Sequence, residues 1–142
     1  MTISAILQGK GREVIQVSSD ESVLSAVRLL SEKRIGCVPV VDDGQVVGVF
    51  SERDLLHHVA RDGAAALDRR VRDVMTAPAI TIDEKTPVIH CLSLMTKRRI
   101  RHLPVVVEGN LAGLVSIGDL VKFRIDSIES EAAALRNYIQ SA

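Results

Sequence analysis

Two aspartates, Asp54 and Asp119, each stand three residues after a serine, in Ser51-Glu-Arg-Asp54 and Ser116-Ile-Gly-Asp119. A glycine stands three residues before each serine, at Gly48 and Gly113. This constellation has two readings. In a capping box, the serine accepts an N–H from the first helical turn, and the acid at the third helical position reaches back to the serine N–H. Such boxes usually carry Glu or Gln in that place, and Asp is shorter. The other reading is a nucleotide site. A helix start offers free N–H groups and partial positive charge to a phosphate. A carboxylate can accept both hydroxyls of a ribose, as an acidic residue does in dinucleotide-binding folds. The glycines would let a ligand approach the backbone closely. One S-x-x-D is weak; two in matching context are strong.

The 65-residue offset between Asp54 and Asp119 extends well beyond the motif. It aligns residues 14–55 with 79–120 without a gap, a run of 42 positions. It pairs Ile15 with Ile80, Val23 with Val88, Leu29 with Leu94, Pro39-Val40-Val41 with Pro104-Val105-Val106, and Gly44 with Gly109. A register held that long is an internal duplication, and it fixes the architecture before single elements are assigned. Duplication merely to build a shared core would not account for the shared polar residues.

The spacing predicts the elements that position the motif. Residues 14–17 read as a strand. Ser22 ends a stretch with cap chemistry, and Val23, Ala26, Val27 and Leu30 follow at helical spacing, with Gly36 releasing the chain. Residues 37–41 form a strand carrying Pro39, expected at an edge or strand start because proline has no N–H for a ladder. Asp42-Asp43-Gly44-Gln45 is a hairpin turn, residues 46–50 return, and a helix begins at Ser51. The second copy repeats this with strands at 79–82, 103–107 and 111–115 and a helix from Thr86-Pro87. The expected fold is mixed α/β (α+β): two β-α-β-β-α units plus a long C-terminal helix. The expected boundaries are a first unit with its lead-in at 1–63, a connector and second lead-in at 64–76, a second unit at 77–124, and a helical extension at 125–142. Val121, Ile125, Ile128, Ala132, Leu135 and Ile139 form a narrow apolar seam on the long C-terminal helix, suited to a partner helix.

Composition limits the function classes. The 142 residues carry zero formal net charge, which argues against a coat for nucleic acid or for an anionic membrane. Nearly half the chain is apolar, with no Trp, one Tyr and two Phe, so the core is aliphatic. Cys37 and Cys91 lack metal or redox spacing and are expected to be buried and inert. There is no secretory segment or long apolar span, so a cytoplasmic protein is expected. His57, His58 and His90 read as surface residues. No nucleophile–base pair or metal cluster is apparent, so no catalytic residue and no metal are expected.

The repeats diverge where charge is concerned. Arg101 and His102 correspond to Gly36 and Cys37, so the fold itself does not require charge there. Lys10, between two glycines, and Arg53, beside the helix start, are further candidates for a phosphate.

Taken together, Val38-Pro-Val-Val-Asp42, the doubled Gly-h-h-Ser-x-x-Asp motif (h, hydrophobic in most places) and the Val71-Arg-Asp-Val-Met-Thr76 lead-in resemble a tandem pair of CBS domains, the Bateman module. The resemblance spans nearly all of residues 6–123, and Phe50-Ser-Glu-Arg-Asp54 is similar to small stand-alone bacterial members. It implies two clefts between the repeats, adenosine-nucleotide ligands, dimerisation and no catalysis. By the same resemblance, Asp54 with Ser51 and Asp119 with Ser116 would hold ribose and phosphate. Adenine would lie against Val14, Val17, Ile35, Gly36 and Val38 in the Asp119 cleft, and against Pro78, Ile80 and Ile100 in the Asp54 cleft. Arg101 and His102 would face phosphate. The expected ligand is AMP, with ADP, ATP or NAD(H) as alternatives, although Ser and one acid suit any adenosine, S-adenosylmethionine included. The expected role is regulatory, acting through dimer geometry or an unknown regulated protein, with no nucleic-acid or membrane partner. The alternative is a structural dimerisation adaptor that binds no ligand.

Overall fold

The computed structural model describes residues 1–11 and 13–141; Arg12, and Ala142 at the end of the expected extension, lie outside the described residues. The order is α1 (Ile3–Lys10), α2 (Val23–Lys33), β1 (Cys37–Asp42), β2 (Gln45–Ser51), α3 (Glu52–Asp62), a 3-10 turn (Gly63–Asp68), α4 (Val71–Val74), α5 (Val88–Arg98), β3 (His102–Val107), β4 (Asn110–Ser116) and α6 (Ile117–Ser141).

Local chemistry sets the boundaries. Ser22 caps α2 by accepting the Ser25 N–H at 3.1 Å. The chain leaves the helix two residues earlier than expected. Arg34, not Gly36, takes the left-handed conformation at φ 54°, and Arg99 does the same after α5. The Ile35 and Ile100 N–H groups then close back onto the Leu30 and Met95 carbonyls, each at 3.1 Å. This six-to-one closure satisfies helix-end carbonyls and offsets the strain of a non-glycine residue there. Each hairpin turns on two residues of positive φ, Asp43-Gly44 and Glu108-Gly109, as a two-residue turn matched to strand twist requires.

Each unit's leading strand is reduced to a single parallel bridge, Val17 to Val40 and Ile82 to Val105. The Val17 N–H donates to the Pro39 carbonyl at 3.1 Å, and the Val41 N–H donates to the Val17 carbonyl at 2.8 Å. Extending that ladder toward Ile15 would need an N–H from Pro39, and Pro104 imposes the same stop in the second unit. Proline therefore sits inside the three-stranded arrangement and limits its outer member.

The lead-in helices are exchanged. Val71 and Val74 of α4 are buried with Val17, Val23, Val40 and Phe50 in the first unit's core. Ile3, Ile6 and Leu7 of α1 are buried with Ile82, Met95, Leu103, Val115 and Leu120 in the second unit's core. Burying such a side chain contributes about 2 kcal/mol, so three anchor α1 firmly to the repeat that follows it at a distance. Strands β2 and β4 of the two hairpins lie against one another.

Gly48 and Gly113 make this exchange fit. A Cβ on Gly48 would stand 2.8 Å from both the Met75 sulfur and the Thr76 carbonyl oxygen, and one on Gly113 would stand 2.6 Å from Leu7 Cδ2. The close approach expected of a ligand at these glycines is made instead by the protein's own lead-ins. Cys37 and Cys91 are both buried, free thiols. Beyond Leu120 and Phe123, α6 leaves its packing: Ile125, Ile128, Leu135 and Ile139 are all exposed. Among the described residues, no helix is long and apolar enough to cross a membrane.

Candidate functional site

Both Ser-x-x-Asp motifs are capping boxes in fact. The Asp54 N–H donates to Ser51 Oγ at 3.3 Å, and the Ser51 N–H donates to Asp54 Oδ2 at 3.0 Å. The Asp119 N–H donates to Ser116 Oγ at 3.1 Å, and the Ser116 N–H donates to Asp119 Oδ2 at 2.9 Å. The cap does not exhaust either carboxylate, since an ionised carboxylate has about four acceptor positions. It fixes the carboxylate's orientation, so the two readings of the motif are compatible.

A cavity of about 200 Å³ opens beside Asp54. It gathers Ser51, Arg53 and Asp54 from the start of α3, Gly36 from before β1, Pro78 and Ile80 from the second unit's leading segment, and Ile100, Arg101 and His102 from the approach to β3. Ile80 is 36% exposed, an apolar surface that faces outward because its segment is not drawn into the ladder. Thr76 closes one side, its hydroxyl donating to Asp54 Oδ1 at 2.8 Å. Arg53 crosses between the units and donates from Nη1 to the Arg99 carbonyl at 3.1 Å, one of five donors on its guanidinium. Arg99, Thr76, Val49, Glu52, Ala79 and Cys37 also line the cavity. Cys37 was expected only as a buried, inert residue, and Arg99 is not among the residues expected at a cleft.

The Asp119 side is built differently. Gly36, expected there, lines the Asp54 cavity. Val17 and Val38 are buried at 2% and 0% exposure within the first core, so their side chains are packing residues. Val14 is half-buried, and Ile35 packs against that same core. Lys10 does reach this cleft. Its Nζ donates to Asp119 Oδ2 at 2.5 Å and to the Leu114 carbonyl at 2.9 Å. Burial pushes the Asp119 carboxyl up, but hydrogen bonds from Lys10 and Ser116, with the charge of Lys10, together hold it below the ordinary carboxylate range.

His102 is half-buried, and its imidazole is biased toward the neutral form. Burial is the main cause; the Arg101 and Lys10 charges add to it, and Asp119 and Glu52 oppose it. Burial, then the nearby Asp54 charge, pushes the Cys37 thiol up to about 12, so it stays protonated at the cavity wall. Among the described residues, no group of three or more His, Cys, Asp or Glu could hold a metal ion.

The family model for the CBS domain matches this chain over residues 11–61 and again over 71–126. This chain belongs to the CBS domain family. It is a tandem CBS pair, 41% identical to a CBS-domain containing protein of Agrobacterium tumefaciens, with a TM-score of 0.84 over 87% of this chain and 99% of that one. It is 32% identical to the mitochondrial CBS domain-containing protein CBSX3 of Arabidopsis thaliana, over 98% of this chain and 72% of that protein. Two similar CBS structures contain adenosine compounds. A Pyrobaculum aerophilum CBS domain protein in complex with AMP is 27% identical at TM-score 0.75, covering 84% of this chain and 89% of that one. The CBS domain pair of protein MJ0100, in complex with 5-methylthioadenosine and S-adenosyl-L-methionine, is 26% identical at TM-score 0.78, covering 89% of this chain and 98% of that one.

Proposed function

We propose that this CBS pair is a cytoplasmic regulatory module that binds an adenine nucleotide in the Asp54 cavity, AMP foremost, with ADP, ATP or NAD(H) as the alternatives. The observation that carries this reading is the cavity's division of labour. Asp54 and the Thr76 hydroxyl face the ribose hydroxyls. Ile80 and Ile100 give apolar faces for the adenine, and Arg53, Arg101 and His102 offer cationic or neutral donors to phosphate. The AMP and S-adenosyl-L-methionine complexes of similar CBS pairs support an adenosine ligand. The cationic lining favours a phosphate over a sulfonium.

A ligand regulates only by binding one state better than another. The exposed seam of α6 supports a second copy of this chain as the element whose geometry responds, or a separate regulated protein docking on the same face. The adaptor alternative keeps the seam and dispenses with the ligand.

A thermal-shift panel separates these readings. Protein stripped of bound nucleotide is melted with AMP, ADP, ATP, NAD⁺, NADH and S-adenosylmethionine, alongside Asp54→Ala. A ligand at about 100 times its dissociation constant stabilises by about 2.7 kcal/mol. The expected result is a rise of several degrees with an adenine nucleotide, abolished in Asp54→Ala. A flat panel contradicts the nucleotide reading and leaves the adaptor.

A further inference from the structure

The two clefts carry the same Ser-x-x-Asp box but receive different groups from the exchanged lead-ins. In the first, the lead-in ending at Thr76 contributes a neutral hydroxyl to Asp54 at 2.8 Å. In the second, the lead-in helix α1 ends in Lys10, whose ammonium bonds the carboxylate of Asp119 and the carbonyl of Leu114. We propose that Lys10 is an internal occupant of the second cleft. Its ammonium sits on Asp119 Oδ2, the oxygen the cap also uses, and its charge and bulk stand in the approach to the carboxylate that a ribose would need, so the chain binds one nucleotide, at Asp54, and the Asp119 cleft is a latent second site. The inference rests on the nucleotide reading of the Asp54 cavity.

Three features carry it. First, a ribose hydroxyl on Asp119 would be charged on the acceptor side alone, whereas the lysine bond is charged on both sides, so exchanging one for the other gives up the ion pair. Second, the lysine cannot leave with its helix. Ile3, Ile6 and Leu7 are buried in the second core, and the Ile3 and Ser4 N–H groups donate to the Thr86 and Glu84 carbonyls at 3.0 and 2.8 Å. Leu7 lies over Gly113, one strand residue from Leu114, which sets the helix's last turn directly over this cleft. Third, the side chain itself is not locked in. Lys10 is 41% exposed and Asp119 27% exposed, so removing the ammonium uncovers a carboxylate already oriented by Ser116. The closure is thus one side chain on a fixed frame, and one substitution should undo it.

The test is the number of AMP molecules bound per chain, by titration calorimetry at saturating AMP, on wild type, Lys10→Ala, Lys10→Arg, Asp54→Ala and Lys10→Ala/Asp119→Ala. The expected values are one for wild type, none for Asp54→Ala, two for Lys10→Ala, one for Lys10→Arg, and one again for the double variant. Lys10→Gln, which keeps most of the side chain's length without the charge, substitutes if Lys10→Ala does not fold, and is also expected to bind two. Two molecules on wild type, or one on folded Lys10→Ala, overturns the inference. No binding by wild type with one molecule on Lys10→Ala would uphold the lysine's role and overturn the Asp54 reading. No binding by any protein would overturn both.

Discussion

Replacing Gly48 by alanine tests how the lead-in positions the candidate site. The added Cβ would lie 2.8 Å from the Met75 sulfur and 2.8 Å from the Thr76 carbonyl oxygen. Met75 can rotate away. The carbonyl cannot, because the Val49 N–H donates to it at 3.0 Å and the Thr76 N–H returns a bond to the Val49 carbonyl at 2.9 Å. Relief therefore means moving the strand-like end of the lead-in and weakening both bonds. Overpacking costs about 1–3 kcal/mol and each hydrogen bond about 1 kcal/mol, so a loss of about 3 kcal/mol is expected. An unfolding entropy of about 2.1 cal/mol/K per residue, summed over the chain, makes that a drop in Tm of about 10 °C. Gly113→Ala is the internal control. The three atoms nearest its Cβ all belong to the Leu7 side chain, the closest at 2.6 and 3.1 Å. A leucine can repack where a bonded carbonyl cannot, so roughly half the loss is expected. Calorimetry on the three proteins reads both values. Gly48→Ala should also weaken AMP binding by shifting Thr76 from Asp54, and Gly113→Ala should leave it unchanged. A Gly48→Ala protein melting within about 2 °C of wild type, or a larger loss for Gly113→Ala, would refute the reasoning.

Three further outcomes follow from the same geometry. Burial, with Arg101 and Lys10, holds the His102 pKa below its ordinary 6.5, and a bound phosphate would raise it. AMP binding should therefore take up a proton and tighten as pH falls from about 7.5 to 6; His102→Gln should flatten the profile, and weakening toward low pH would contradict the assignment. Arg101→Ala should weaken AMP about tenfold, by loss of a charge-assisted bond, and leave adenosine unchanged; equal losses for both would remove Arg101 from the phosphate. Cys37, pushed up to about 12, should resist iodoacetamide at pH 8 until the protein unfolds, and rapid labelling of native protein would show that its burial is misjudged.

The duplication was the most legible feature, because it rests on register and survives divergence of individual residues. The capping boxes, both hairpin turns and the Ser22 cap were legible for a related reason: each is made within four residues. What sequence spacing does not carry is which distant segments meet. The 65-residue offset relates Lys10 to Met75, yet Lys10 bonds Asp119, 109 residues away. Leu7 fills the space over Gly113 by the same exchange, which is why both glycines were misread as room for a ligand. Pro39 was expected at an edge or strand start; it lies within β1, and its missing N–H limits the neighbouring leading strand to a single bridge, as Pro104 does in the second unit. Thr76 gave little signal, since its partner Asp54 is contacted through a turn of tertiary packing. Arg99 was hidden by the ordinary preference for basic residues at helix ends.

The most direct test of the central claim is a crystal structure of the protein grown with saturating AMP. The account predicts density in the Asp54 cavity, with the ribose hydroxyls on Asp54, adenine between Ile80 and Ile100, and phosphate toward Arg101 and His102. Full data showing that cavity without nucleotide, or AMP bound elsewhere on the molecule, would contradict it.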